Sequence, residues 1–288
     1  MSAASTNRQK SNTFRLLAPG VVWMILFLVA PIMMIVYVSF WTQTTFAINS
    51  TLTLDSWRNF FESEAYVGAL WTTIRLWLIV LTLTFVIGYP AALYVGLLVK
   101  SKTVSTVLLV LCVIPFWTSF LIRVLAWRPM LGKEGAINII LQKVGLIDTP
   151  IEVLLFSELS VIIGMTQIYV VFMVGPIAFM LGRIDRNIIE AARDLGAGFG
   201  RIFWKIIFPL SLPGVIVGAI FVSVMVLGEF ATSGALSGRK VNLLGNIIVT
   251  QVGSLKWAMA SVVGVILTIL LGIVVAGFLR IVDLKREI

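Results

Sequence analysis

The chain has 288 residues, 59% of them hydrophobic and 12% charged, against ~45–50% and ~25% in a soluble domain. It contains no histidine and one cysteine, which excludes histidine general bases, Ser-His-Asp triads, His-ligated metal sites, CxxC centres and an intrachain disulfide. The net charge of +9 would raise nucleic acid for a soluble protein; in a membrane protein it reflects basic cytoplasmic loops, so no nucleic-acid partner is expected.

Six long stretches lack Asp, Glu, Lys and Arg: Leu16–Gln43 and beyond, Leu76–Val99, Thr103–Ile122, Leu159–Gly182, Ile206–Gly228 and Trp257–Leu279. Each meets the ~20 residues with which a helix crosses a ~30 Å hydrocarbon core. The expected fold is therefore an all-α membrane protein of six transmembrane helices: a tail over 1–15, one six-span domain over 16–282 and a tail over 283–288. The first stretch outruns the ~7–15 residues of a signal-peptide core, and no small-residue cleavage site follows it before Trp41.

Threading six spans puts Arg8, Lys10, Arg15, Lys100, Lys102, Arg183, Arg186, Arg193, Arg201, Lys205, Arg280, Lys285 and Arg286 on one side, 13 of the 22 basic residues. The positive-inside rule makes that side, and both termini, cytoplasmic. The bias is not clean, because Arg239, Lys240 and Lys256 fall in the last outer loop.

Pro31, Pro90, Pro115 and Pro176 lie within spans, where each removes a helix hydrogen bond and favours a bend. After the third span, Gly135–Val144 followed by Gly145 reads as a short helix with a glycine stop, and Leu243–Val252 reads similarly. Both suit either packing at the membrane interface or docking of a partner. Gly214 and Gly218 form a GxxxG pair in the fifth span, read as close intrachain helix packing.

The most informative segment runs from Arg183 to Pro209, between the fourth and fifth spans. Asp185 is placed to cap a helix, Ile188, Ile189, Ala192 and Leu195 supply an apolar stripe, and Gly196 stops it. A second short helix over about Gly200–Ile207 is expected before Pro209 and Pro213, where the membrane resumes. An ordered, apolar-faced loop in water calls for a protein partner.

Glu190-Ala191-Ala192, Gly196, Ile206 and Pro209 resemble the EAA loop of ATP-binding-cassette importer permeases, with Phe208 where that pattern has leucine. The resemblance implies a bacterial inner-membrane, multi-pass pore subunit whose coupling helix, carrying Asp185, Ile189, Glu190, Ala191, Ala192, Leu195 and Gly196, sits in a groove of an ATPase subunit. It also implies a second permease, two ATPase subunits that bind the ATP and Mg, and an external solute-binding protein at the outer loops. Pro115–Arg123, Gly135–Asn138, Gly145–Asp148 and Leu227–Phe230 are similar to segments of the spermidine/putrescine permease subfamily, which points to polyamines, with opines, other amines or anions as alternatives.

The chain has no Walker A string, so no nucleotide, cofactor or metal site of its own and no catalytic residue is expected. An ion-coupled secondary transporter is the rival class, but it would need midplane carboxylates or broken helices. The ionisable residues near spans are Arg75, Arg123, Glu158 and Glu229, and such residues are functional candidates by default. Two readings stand for Glu229: an ion pair with Arg123 at the outer interface, or a receptor for a cation beside Trp117, Trp127 and Tyr169.

Overall fold

The structure is a computed structural model that describes residues 17–43 and 48–281; the expected tails, 1–15 and 283–288, lie outside the described residues. Among the described residues five helices are long and apolar enough to cross a membrane, Leu17–Val38, Glu64–Leu98, Glu158–Leu181, Phe199–Leu227 and Trp257–Ile281, and a bent pair, Lys102–Trp117 with Phe120–Lys143, brings the number to six when counted as one broken span. The chain divides into two compact units, Met1–Ser63 with Thr250–Ile266, and Glu64–Val249 with Leu267–Ile288.

In the first unit, the helix Leu17–Val38 is followed by a feature absent from the sequence reading, an antiparallel pair of strands, Trp41–Gln43 and Ile48–Leu52. The Thr51 hydroxyl donates to Thr42 Oγ1 at 2.8 Å across the pair. The short helix Asp55–Glu62 comes next, and Trp57 donates its indole N–H to Ser39 Oγ at 3.3 Å.

In the second unit, three helices make the core: span 2 (Glu64–Leu98), span 4 (Glu158–Leu181) and span 5 (Phe199–Leu227). Span 4 is the most deeply buried. Glycines let its neighbours approach. A Cβ on Gly96 of span 2 would lie 2.6 Å from the Ala178 carbonyl oxygen, and one on Gly214 of span 5 would lie 2.6 Å from that of Pro176. A Cβ on Gly218 would stand 2.9 Å from Met173 Sδ. The GxxxG pair is thus the seam between spans 4 and 5 of one chain. Spans 2 and 5 are joined by Trp77 donating to Ser223 Oγ and by Tyr89 sharing a hydrogen bond with Ser211 Oγ, both 2.8 Å.

Three elements depart from the sequence reading. Span 2 begins twelve residues before Leu76, at Glu64, and carries within it Arg75, which meets Glu158 of span 4 at 2.5 Å. The third stretch is not one helix over Thr103–Ile122. Lys102–Trp117 ends in a 3-10 turn, Ile114–Trp117, and the chain resumes at Phe120 bent by 93°. Pro115 opens that turn, and Thr118 and Ser119 are extended, with ψ of 152° and 136°, so the helical ladder is interrupted there. Finally, Gly200–Ile207 is no separate helix. It is the first part of a continuous 29-residue span 5, with a π-helical turn at Phe203–Ile207. A wider turn two residues before Pro209 accommodates the missing proline N–H and its ring; the π-helical turn Ile25–Val29 stands in the same relation to Pro31.

The loop after the break is stapled by Asn138, which is fully buried. Its amide donates to the carbonyls of Gly132 (3.0 Å) and Ile151 (3.2 Å) and accepts from the Ile151 N–H (2.9 Å). The helix Ala136–Lys143 stops as expected at Gly145, whose φ is +73°. Lys133 adds an exposed tie to Glu152 at 2.6 Å and holds that carboxyl below its ordinary pKa.

Gly218→Leu should overpack the span 4–span 5 seam and cost about 1–3 kcal/mol, read as a lower unfolding temperature of the detergent-purified protein. Gly272→Ala, where an added Cβ meets nothing within 4 Å, should not lower that temperature and should raise it slightly, since alanine favours a helix interior over glycine.

Candidate functional site

Two places in the second unit gather the residues singled out in the sequence. The first is the helix Arg186–Asp194. Asp185 caps it, its carboxylate accepting from the Asn187 N–H at 3.0 Å. Its end is a Schellman motif: the Gly196 N–H donates to the Arg193 carbonyl (2.8 Å) and the Ala197 N–H to that of Ala192 (3.0 Å). Gly196 has φ of +78°, a conformation that costs a residue with a Cβ about 1–2 kcal/mol.

The apolar stripe of this helix divides. Ile189 is buried and Ala192 packs on the same core cluster, together with Ile202, Ile206 and Ile207 of span 5. Ile188 and Leu195 face outward, Leu195 at 88% exposure, and Phe199 is exposed beyond them. Glu190 and Ala191 are exposed, and Glu190 borders a cavity of about 270 Å³ with Lys100, Arg186 and Arg193. Pro209 is exposed at the start of span 5 proper. One anchor was missed in the sequence: Arg186 donates to the carbonyls of Leu97 (3.3 Å) and Val99 (3.1 Å), the free C-terminal end of span 2. Its signal was a basic residue in the first turn of a helix, where the dipole disfavours it and a partner elsewhere must compensate.

The second place is a cavity of about 570 Å³ lined by Phe116, Phe120, Arg123, Tyr169, Phe172 and Glu229, among others. Glu229 is buried at 5% exposure. The Tyr169 hydroxyl donates to its Oε2, and the Thr232 N–H donates to its Oε1 at 2.8 Å. Gly245 lets the next helix close over this corner, since a Cβ there would lie 2.5 Å from the Glu229 carbonyl oxygen. The rings of Phe116 and Phe172 meet edge to face, with centroids 5.1 Å apart. The arrangement is a fixed carboxylate among aromatic faces, which suits an ammonium group.

Of the five residues named for a solute path, Tyr169, Arg123 and Glu229 come together here. Trp117 and Trp127 do not line the cavity. Trp117 ends the helix before the break and is 84% exposed, and Trp127 turns its indole N–H to Gln167 Oε1 at 3.4 Å. The aromatic rings that line the cavity are Phe116, Phe120, Tyr169, Phe172 and Phe230. Nor do Arg123 and Glu229 pair: the ion pairs among the described residues are Arg58–Glu62, Arg75–Glu158 and Lys133–Glu152. Glu229 is held by Tyr169 and Thr232, while Arg123 lies over the ring of Phe116, 4.5 Å from its centroid.

Comparison with known proteins bears on the family and the fold. The family model described as "Binding-protein-dependent transport system inner membrane component" matches residues 85–288. The spermidine/putrescine transport system permease protein PotB of Escherichia coli (strain K12) is 34% identical over 260 residues, covering 90% of this chain and 93% of that protein. The PotB of Haemophilus influenzae is 31% identical over 274 residues, 94% of each. Among solved structures, a bacterial alginate ABC transporter in complex with an alginate pentasaccharide-bound periplasmic protein has a chain with TM-score 0.76 at 17% identity, covering 96% of each chain; that likeness is one of fold.

Gly196→Val should raise amide hydrogen exchange at positions 196 and 197 roughly fivefold, the equivalent of about 1 kcal/mol of lost local stability. Exchange in the middle of span 4 should not change, which mass spectrometry of the two segments would read together.

Proposed function

The chain belongs to the family of binding-protein-dependent transport system inner membrane components, and from that premise we propose how its two sites divide the work of import. It is a permease subunit of an ABC importer, a multi-pass protein of the bacterial inner membrane and not an enzyme; ATP hydrolysis belongs to separate subunits. In our reading an external binding protein delivers solute to the outer loops and a second permease completes the pore. Two ATPase subunits, holding the ATP and Mg, dock on the helix Arg186–Asp194. Both termini lie on the ATPase side, which is the side richer in lysine and arginine.

The docking role of Asp185, Ile189, Glu190, Ala191, Ala192, Leu195 and Gly196 is supported by the division of the stripe. Ile189 and Ala192 fasten the helix to the bundle, and Ile188 and Leu195 leave an apolar face to be covered. Ile206, within span 5, packs on the same core cluster. Arg186 binds it to the end of span 2. A push on this helix is therefore delivered to spans 2, 4 and 5 at once, which would tilt them between inward-open and outward-open arrangements.

For the solute we propose a polyamine or a related organic amine. The observation that carries this is Glu229, a buried carboxylate whose two fixed donors leave lone pairs for an incoming ammonium beside Phe116, Phe172 and Tyr169. The spermidine and putrescine in the names of the 31–34% identical relatives agree with it. Glu229→Gln, nearly isosteric, should lower spermidine uptake into proteoliposomes about tenfold or more, as expected for loss of a charge-assisted contact, while the assembled transporter still purifies and docks its binding protein. Unchanged uptake would reject Glu229 as the receptor of the amine.

A further inference from the structure

The Glu229 cavity contains a second charged group that the amine reading does not use. Arg123 is half-buried; its Nε is buried and donates to no acceptor, and its guanidinium lies over the face of Phe116. Proton loss cannot relieve it, because arginine stays charged. A buried donor without an acceptor is costly, more so when charged. An aromatic face attracts the cation but offers no acceptor for its N–H groups.

Glu229, in contrast, is prepared on both oxygens by Tyr169 Oη and the Thr232 N–H. One cavity thus presents a carboxylate ready for a cation and a guanidinium edge lacking an anion. Their charges cancel, and the walls between them are apolar. An amine bearing an acidic group brings one charge of each sign and satisfies both. A diamine of the same length satisfies Glu229 and leaves its second ammonium facing Arg123, a like charge in a poorly screened space.

We infer that Arg123 gives this site an anion-receiving subsite, so that it takes amines carrying a carboxylate or similar oxyanion alongside diamines and sets the choice between them. This rests on the reading of the Glu229 cavity as the solute site. Arg123 is the specificity residue, and Glu229 is the common anchor.

The test uses the complete detergent-purified transporter, without added external binding protein, so that selectivity is read from the membrane site. Equilibrium binding of 4-aminobutyrate and 1,4-diaminobutane, equal four-carbon chains that differ in one terminal group, is measured for wild type, Arg123→Gln, Arg123→Lys and Glu229→Gln. Arg123→Gln should weaken 4-aminobutyrate about tenfold or more while leaving 1,4-diaminobutane equal or tighter, and Arg123→Lys should recover part of the loss. An unchanged ratio of the two affinities in Arg123→Gln, with Glu229→Gln weakening both probes, would overturn this inference alone. If Glu229→Gln affects neither probe, the solute-site reading falls and this inference with it. Loss of the second permease from both Arg123 variants would assign the guanidinium to a subunit interface and also overturn it.

Discussion

The second unit depends on how closely spans 2 and 5 can approach the helix Glu158–Leu181. Between apolar helices in lipid there is little hydrophobic driving force, so association relies on dispersion contacts and hydrogen bonds at short range. Gly96, Gly214 and Gly218 remove the side chains that would hold the backbones apart, and each leaves less than 3 Å between a hypothetical Cβ and span 4. Trp77 to Ser223, part-buried, and Tyr89 to Ser211, buried, then bridge spans 2 and 5 with polar contacts.

That packing gives the two sites a shared frame. Span 4 carries Tyr169, the donor to Glu229, at its middle and runs on from its C-terminal end through the buried Ile184 to the capped helix Arg186–Asp194. Span 5 begins beside that helix with Ile202 and Ile207 and ends next to Glu229. The helix Arg186–Asp194 thus adjoins the C-terminal end of span 4 and the start of span 5, while the cavity adjoins the middle of span 4 and the far end of span 5. The broken third span stands apart: Phe116 and Arg123 lie on either side of a 93° bend, and both reach the cavity.

What was legible in the sequence is what short-range chemistry decides. Spans follow from uncharged length, Asp185 from capping, Gly196 and Gly145 from the positive φ that ends their helices, and Gly214 with Gly218 from spacing. Glu229 and Tyr169 were readable as a carboxylate and a phenol at span depth. What escaped depends on contacts distant in sequence. Arg75 lies inside a span-length helix and pairs with Glu158, 83 residues later. Arg186 reaches back 87 residues to Val99, and Asn138 is buried because it completes the backbone hydrogen bonds of its own loop. Pro115 marks the break in the third span, yet Pro90 and Pro176 lie inside continuous helices, so proline alone does not say which span bends. Trp117 and Trp127 are named for the path by their chemistry, and in the structure they lie outside the Glu229 cavity.

The central claim is that the exposed face of the Arg186–Asp194 helix is where ATP hydrolysis meets the bundle. A photo-crosslinking amino acid at position 195, in place of the 88% exposed Leu195, tests it in the assembled transporter embedded in lipid. The account predicts that the crosslinked partner is the ATPase subunit, and that the yield changes between the nucleotide-free and ATP-bound states. Crosslinking confined to lipid or to the second permease in both states would contradict it.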